Sequence, residues 1–464
     1  MLDRRRDQYH ALGLELRRRG RAVQAMGEKC LDSDPRLLVV AVDDVLIGPL
    51  CEGLDHLGWT TLTGRSLNAA EQVLKDMTVD AAVVDARGLE GQDIVARLRK
   101  AAAPRYLPIL MIGSSAAEGG DVDLMMSSPP HPSQAALRLE QLIRAGIAEE
   151  EFRLRQATFA AHGVTLTAPD LGETPLQILT AGAADRRFLA MSNALSAAGA
   201  EVVAAPTPYT AFDYLHERAF DAAVLWGGQD HAPALSIASG MKRNTRLYHI
   251  PLVLYLRGAA EVELEDLFRR GFADVAAAET PEDETAERVL ALARNHRRRQ
   301  AIRRALDSVR GSDLMDSATG LFTRDLFAAH LGRVAEGARS RNRALSVCVL
   351  RVAERQPVAQ ARSGGWLDRA MPQIGAMVSR LVRVEDTAAR LGPELFALVL
   401  PATGARAARL AAERISAVIA CTAFDAGKDR SPFVVEFDVG VAEMLDGETP
   451  AAVLERASAD LPKG

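Results

Sequence analysis

Cysteine is scarce: this chain of 464 residues holds four, Cys30, Cys51, Cys348 and Cys421. They lie far apart, with no C-x-x-C pair and no histidine neighbours at zinc-ligand spacing. Neither a disulfide framework nor a structural zinc site is expected, and the four read as ordinary buried thiols. Long apolar runs are missing too. Nothing approaches the roughly 18 consecutive apolar residues of a membrane-spanning helix. The opening "MLDRRRDQYHALGLELRRRGRAVQ" has a basic flank without the apolar segment of a secretion signal. A strong excess of either charge is also absent: the net charge of −5 lacks the concentrated basic surplus of a nucleic-acid-binding surface. These absences point to a soluble, cytoplasmic chain that does not engage nucleic acid. What the chain does have is material for several cores. With 48% hydrophobic and 25% charged residues it should form about three domains, at roughly 100 to 200 residues each.

An internal repeat organises the first two thirds. "DAAVVDARG" (80–88) recurs as "DAAVLWGGQ" (221–229), and the same offset of 141 residues lays "LLVVAVDD" (37–44) over "ILTAGAAD" (178–185). Repetition at this length means duplicated domains rather than a solenoid. Each copy alternates short apolar runs with helical stretches, which predicts a parallel sheet with crossover helices. The expected domains are 34–146, 174–298 and 312–464, with 146–169 separating the copies. A basic stretch from 284 to 311 reads as a long helix leading into the third domain.

In copy one, Asp43 and Asp44 end the first strand and Asp85 ends a later one, at the strand ends where open parallel sheets place their sites. This pattern resembles the receiver domain of two-component response regulators. The resemblance implies that Asp43, Asp44 and Asp85 hold Mg2+ and that Asp85 accepts a phosphoryl group, chemistry that suits oxygen ligands and a carboxylate nucleophile. The match departs from the receiver pattern where "MMSSPP" offers no lysine, which leaves a working phosphoswitch open. In copy two Asp85 maps to Trp226 and Asp43 to Ala184, with Asp185 the remaining acid; an indole neither ligates Mg2+ nor accepts phosphate. Copy two is expected to pack as an adaptor, with Trp226 inside it.

The third domain opens with "DSATGLFTRDLF" (316–327). It continues through the strand "ALSVCVLRV" (344–352), the hairpin "RLGPELFALVLP" (390–401) and the late strand "FVVEFDVGVAEM" (433–444). Their content and order resemble the GGDEF domain of diguanylate cyclases, which join two GTP molecules into cyclic di-GMP. The overall fold class expected is therefore α/β: two tandem flavodoxin-like receiver domains, then an α+β GGDEF domain. The catalytic pattern is broken. A metal-binding Asp is replaced by Arg351, and the signature reads Gly392-Pro393-Glu394-Leu395-Phe396, where Pro393 fixes φ and removes a backbone N–H. The resemblance thus implies a domain that is not an enzyme.

Just upstream stand Arg383 and Asp386, the R-x-x-D that in this family forms an inhibitory site for the product, and Arg414 falls at the place of a third family contact. The spacing alone is weak, since it recurs at Arg4/Asp7, Arg304/Asp307 and Arg310/Asp313; position carries the weight. Guanine offers O6 and N7 acceptors to a guanidinium fork and N–H donors to a carboxylate. The expectation is a cyclic di-GMP receptor built on Arg383, Asp386 and Arg414. The order of receiver, receiver and GGDEF is that of the PleD-type cyclases, and combined with a broken active site and a kept product site it resembles cell-cycle effectors that bind cyclic di-GMP rather than make it. That resemblance implies a homodimer through the receivers, placement at a cell pole, and partners in regulated proteolysis of a cell-cycle regulator. Two alternatives stay open: an active cyclase, and a scaffold that needs no ligand.

Overall fold

The computed structural model describes residues 35–462, apart from 44, 46, 86, 88, 90–92, 104, 113–121, 127–129, 228–230, 245, 257–262, 278 and 428–429. Asp44, Cys30 and the extreme ends of the first and third expected domains lie outside the described residues.

The first unit runs β1 (Arg36–Val40), α1 (Ile47–His56), β2 (Thr60–Gly64), α2 (Leu67–Asp76), β3 (Ala81–Asp85), α3 (Ile94–Ala102), β4 (Ile109–Ile112), β5 (Leu124–Met126) and α4 (Pro132–Ala161). Its strands form one parallel sheet in the order β2-β1-β3-β4-β5. Helices cover both faces, so β1 and β3 are buried on both sides and read as continuous apolar runs rather than alternating ones.

The second unit repeats this with β6 (Gln177–Ala181), α5 (Arg186–Ala197), β7 (Glu201–Ala205), α6 (Pro208–Glu217), β8 (Ala222–Gly227), α7 (Ala232–Arg243), β9 (Leu252–Leu256), α8 (Leu264–Arg269), β10 (Asp274–Ala276) and α9 (Glu282–Asp307). Its sheet is parallel with the equivalent order β7-β6-β8-β9-β10. The offset of 141 residues holds between the starts of β1, β2, β3 and those of β6, β7, β8. Asp185 is a helix cap, its Oδ1 accepting the Phe188 N–H at 2.8 Å.

The third unit comprises α10 (Arg324–Arg341), β11 (Leu345–Val352), α11 (Gln356–Ser363), α12 (Trp366–Leu381), β12 (Thr387–Gly392), β13 (Leu395–Pro401), α13 (Ala405–Ala420), β14 (Phe437–Glu443) and α14 (Pro450–Ala459). The sheet is antiparallel, β12-β13-β11-β14. Helices α11, α12 and α13 pack on one face.

The other face is shared. Besides α10 and α14 it buries Ala148, Phe152 and Phe159 of α4 and Ile302 and Ala305 of α9. Residues 146–169 therefore do more than separate the copies. Gly146 does not break the helix, which runs 30 residues from Pro132 to Ala161 and inserts Phe159 edge-on against Phe322, ring centroids 5.5 Å apart. The terminal helices of both α/β units end in the core of the third.

Those units also touch each other. Asp274, fully buried, takes Arg138 of α4 at 2.6 Å and Arg288 of α9 at 2.7 Å. Equivalent positions do equivalent work: Arg138 donates to the Met125 carbonyl and Arg288 to that of Val275. Of the described cysteines only Cys348 is buried; Cys51 is half-buried and Cys421, at the C-terminal end of α13, is exposed, which corrects the expectation of four buried thiols. Among the described residues no helix is long and apolar enough to cross a membrane.

Candidate functional site

Between the last turn of α12 and the first residue of β12 the chain must reverse within five residues, 382–386. It does so by closing on itself. The Asp386 N–H donates to the Arg383 carbonyl at 3.2 Å, and the Arg383 N–H donates to Asp386 Oδ2 at 2.9 Å. A short acidic side chain that bonds a backbone amide three residues upstream is what places arginine and aspartate on one turn. Arg383 is half-buried and Asp386 buried. Burial pushes the Asp386 carboxyl up to about 6, helped by the negative charge of Glu385 and opposed by Arg383 and Arg144.

The turn follows a helix C-terminus, where the last carbonyls have no partner inside the helix and carry the negative end of its dipole. Cations gather there. Arg414 of α13 donates to the Leu381 carbonyl at 3.4 Å, and Arg303 of α9 to that of Val382 at 3.2 Å. Arg155 of α4 donates to the carbonyls of Val384, at 2.8 Å, and Asp386, at 2.9 Å. Arg144, also on α4, stands 3.6 Å from Glu385. All three residues picked from the sequence, Arg383, Asp386 and Arg414, thus meet at 381–386. Arg144, Arg155, Arg303 and Glu385 were not picked; "FRLRQ" and "NHRRRQAIRR" showed the basic residues, but nothing local said where those helices dock.

The signature hairpin is closed by ion pairs within the chain. Both oxygens of Glu394 accept from Arg362, each at 2.6 Å, and Arg362 also reaches Glu354 at 3.3 Å. This contact raises the Arg362 guanidinium above its ordinary value. Arg351, opposite Leu395 and Asp438 in the sheet, pairs with Asp438 at 3.0 Å and donates to the Pro462 carbonyl at 2.8 Å. Arg390 spans from the Pro393 carbonyl at 2.8 Å to Asp316 at 3.3 Å. The one carboxylate left in the signature is engaged by a fork rather than open to a cation.

In the first unit Asp85 ends β3 with its carboxylate buried, and its partner is Arg87: Nε donates to Oδ1 at 2.8 Å and Nη2 to Oδ2. Asp43 accepts the Val45 N–H at 3.0 Å. No cluster of three metal-ligating side chains occurs among the described residues. In the second unit Trp226 stacks on Tyr255, 4.4 Å between centroids and 4° between planes, with Phe188 edge-on at 5.8 Å. Gly182, at φ 150°, is required here, since a Cβ on it would stand 2.3 Å from that of Trp226.

No curated protein matches the chain. Among solved structures it is similar to the GGDEF domain of DgcB from Caulobacter crescentus, solved with c-di-GMP, at 23% identity over 32% of this chain and 84% of that one, TM-score 0.30. Similar too are the FimX GGDEF domain from Pseudomonas aeruginosa (19%, 32% and 91%, TM-score 0.29) and the diguanylate cyclase SiaD from the same organism with its activator SiaC (25%, 38% and 68%, TM-score 0.30). The family model "Diguanylate cyclase, GGDEF domain" matches residues 313–463, which span α10 to α14, the four-stranded antiparallel sheet and the turn of Arg383 and Asp386; this part of the chain is a GGDEF domain.

Proposed function

We propose that this chain is a non-catalytic receptor for cyclic di-GMP. The observation that carries the reading is the closed turn of Arg383 and Asp386 with Arg414 beside it. One guanidinium and one carboxylate on a single turn match the acceptor and donor edges of guanine, and further guanidiniums pair with phosphate. Asp386 is 8% exposed, so binding requires a local rearrangement of the side chains packed around it, Arg144 and Arg303 among them.

Catalysis has little to stand on. Arg351 puts a cation where the family pattern has a carboxylate, and Glu394 is held by Arg362. Two acids that must gather Mg2+ against a triphosphate are thereby lost or occupied. The family's usual activity keeps the cyclase reading as the competitor.

The two parallel units are read as receivers: the sheet order is the flavodoxin-like one. In the first, Arg87 supplies internally the positive charge that a metal would bring to Asp85; in the second, Trp226 fills the site. With this order of domains, the protein resembles the cell-cycle effector PopA. On that resemblance, dimerisation through the receivers, polar placement and recruitment of proteolysis partners belong to the proposal.

Calorimetric titration of the full chain with cyclic di-GMP, wild type against Arg383→Ala, tests the reading. Saturable binding that the variant loses supports it, provided that wild type with GTP and Mg2+ makes no product. Equal binding by the variant favours a scaffold; product that Glu394→Ala abolishes restores the cyclase.

A further inference from the structure

Arg155 lies 232 residues before Thr387 in sequence and is 2% exposed, in a junction whose other members are largely apolar. Its fork spans the turn: Nη1 donates to the Val384 carbonyl, Nη2 to that of Asp386, and Nε to Thr387 Oγ1 at 3.2 Å. Its charge is balanced by Glu151, one helical turn away at 3.4 Å. Glu151 is in turn fixed by His330 of α10, Nε2 to Oε1 at 2.5 Å, and His330 Nδ1 meets Thr158 Oγ1 at 3.1 Å. Phe152 and Phe159 hold the same helix in the shared core.

We propose that Arg155, carried by the terminal helix of the first α/β unit, is a positioning residue of the dinucleotide site, so that the site of the GGDEF domain is completed by a different domain of the chain. This rests on the reading of Arg383 and Asp386 given above and adds to it which residue holds them in place. The physical ground is direct. A turn of five residues has a single closing backbone bond of its own, and two of its carbonyls would otherwise compete for other donors. A planar guanidinium that bonds both carbonyls at once fixes the distance between the Val384–Glu385 and Asp386–Thr387 peptide units. Lysine, with one rotatable ammonium, satisfies one carbonyl but does not set that distance. The turn in this protein is therefore shaped from outside residues 313–463, and movement of α4 within the first unit reaches the ligand through Arg155.

The experiment uses the full chain and cyclic di-GMP, with titration and thermal unfolding of wild type, Arg155→Ala, Arg155→Lys and Arg343→Ala. The last removes one of two arginines that pair with Glu150 of the same helix, at 2.8 Å, and leaves Arg341 at 3.3 Å, without touching the turn. Arg155→Ala should weaken affinity about tenfold or more and lower stability; Arg155→Lys should recover the stability but not the affinity; Arg343→Ala should bind within about twofold of wild type. Three results overturn the inference: unchanged or tighter binding by Arg155→Ala, full recovery of affinity by Arg155→Lys, or an equal loss in Arg343→Ala. If wild type does not bind, or Arg383→Ala binds as wild type does, the receptor reading fails instead, and the two failures stay distinguishable.

Discussion

Burial holds the Asp386 carboxyl near pH 6 in the folded chain, against about 3.9 in an unfolded one. Between these values the folded state binds the proton more tightly, so protonation stabilises the fold below about pH 4, and the advantage is lost as pH rises through 6. The groups that face it are Glu385, Arg383, Arg144 and Arg303. Asp386→Asn keeps the shape without the ionisation. Its stability relative to wild type, measured by denaturant unfolding, should improve by about 2 kcal/mol between pH 4.5 and 7.5; a constant difference would show that Asp386 ionises without cost. At this scale the R-x-x-D was legible because its turn closes within four residues. Its depth was not legible, because the side chains that bury it come from helices far away in sequence.

Helix α4 shows what one element adds. Its first half completes the first α/β unit, packing Ala135, Leu139 and Leu142 on the sheet, and its second half completes the GGDEF core. Phe159 is fully buried against Phe322, so Phe159→Ala should cost about 3 to 5 kcal/mol by removing apolar contact and leaving a cavity. Amide exchange should then speed up in α10 as well as in the last turns of α4. Faster exchange in α4 alone would mean that the helix is only a tether. The strands, by contrast, were legible as apolar runs, and the hairpin of β12 and β13 as a Gly-Pro-Glu turn between two of them. The second role of residues 146–169, entry into the third core, was not legible, because Gly146 and the charged "AEEEFRLRQ" mask the helical spacing of Phe152 and Phe159.

Over the whole molecule, apolar residues of α4 and α9 join the third core to the other two units, while the two α/β units meet at the buried carboxylate of Asp274. Burial alone would raise its carboxyl, but the guanidiniums of Arg138 and Arg288 override this and hold it below the ordinary range. Asp274→Ala removes the carboxylate shared by two buried guanidiniums, leaving Arg288 the more distant Glu284 at 3.4 Å, and should cost about 3 to 5 kcal/mol. Calorimetry should show the two α/β units melting apart in the variant where wild type melts them together; a shift below about 1 kcal/mol would make this contact incidental. The contact also occupies the β5/α4 and β10/α9 faces within one chain, so a homodimer formed through these units needs other faces.

By itself the sequence determined what depends on neighbours along the chain: parallel strands from runs such as 37–40 and 81–84, duplication from a repeat at 141 residues, and a self-closing turn from Arg383 and Asp386. Tertiary structure decided which cation meets which carboxylate or carbonyl. Arg351 meets Asp438, Arg362 meets Glu394, Arg87 takes Asp85, and Arg155 crosses from one domain to hold the turn of another. The reason is physical: periodicity and turn closure are written in spacings of a few residues, whereas long charged side chains find partners only after helices have docked, and that docking is set by apolar faces with no preference among arginines.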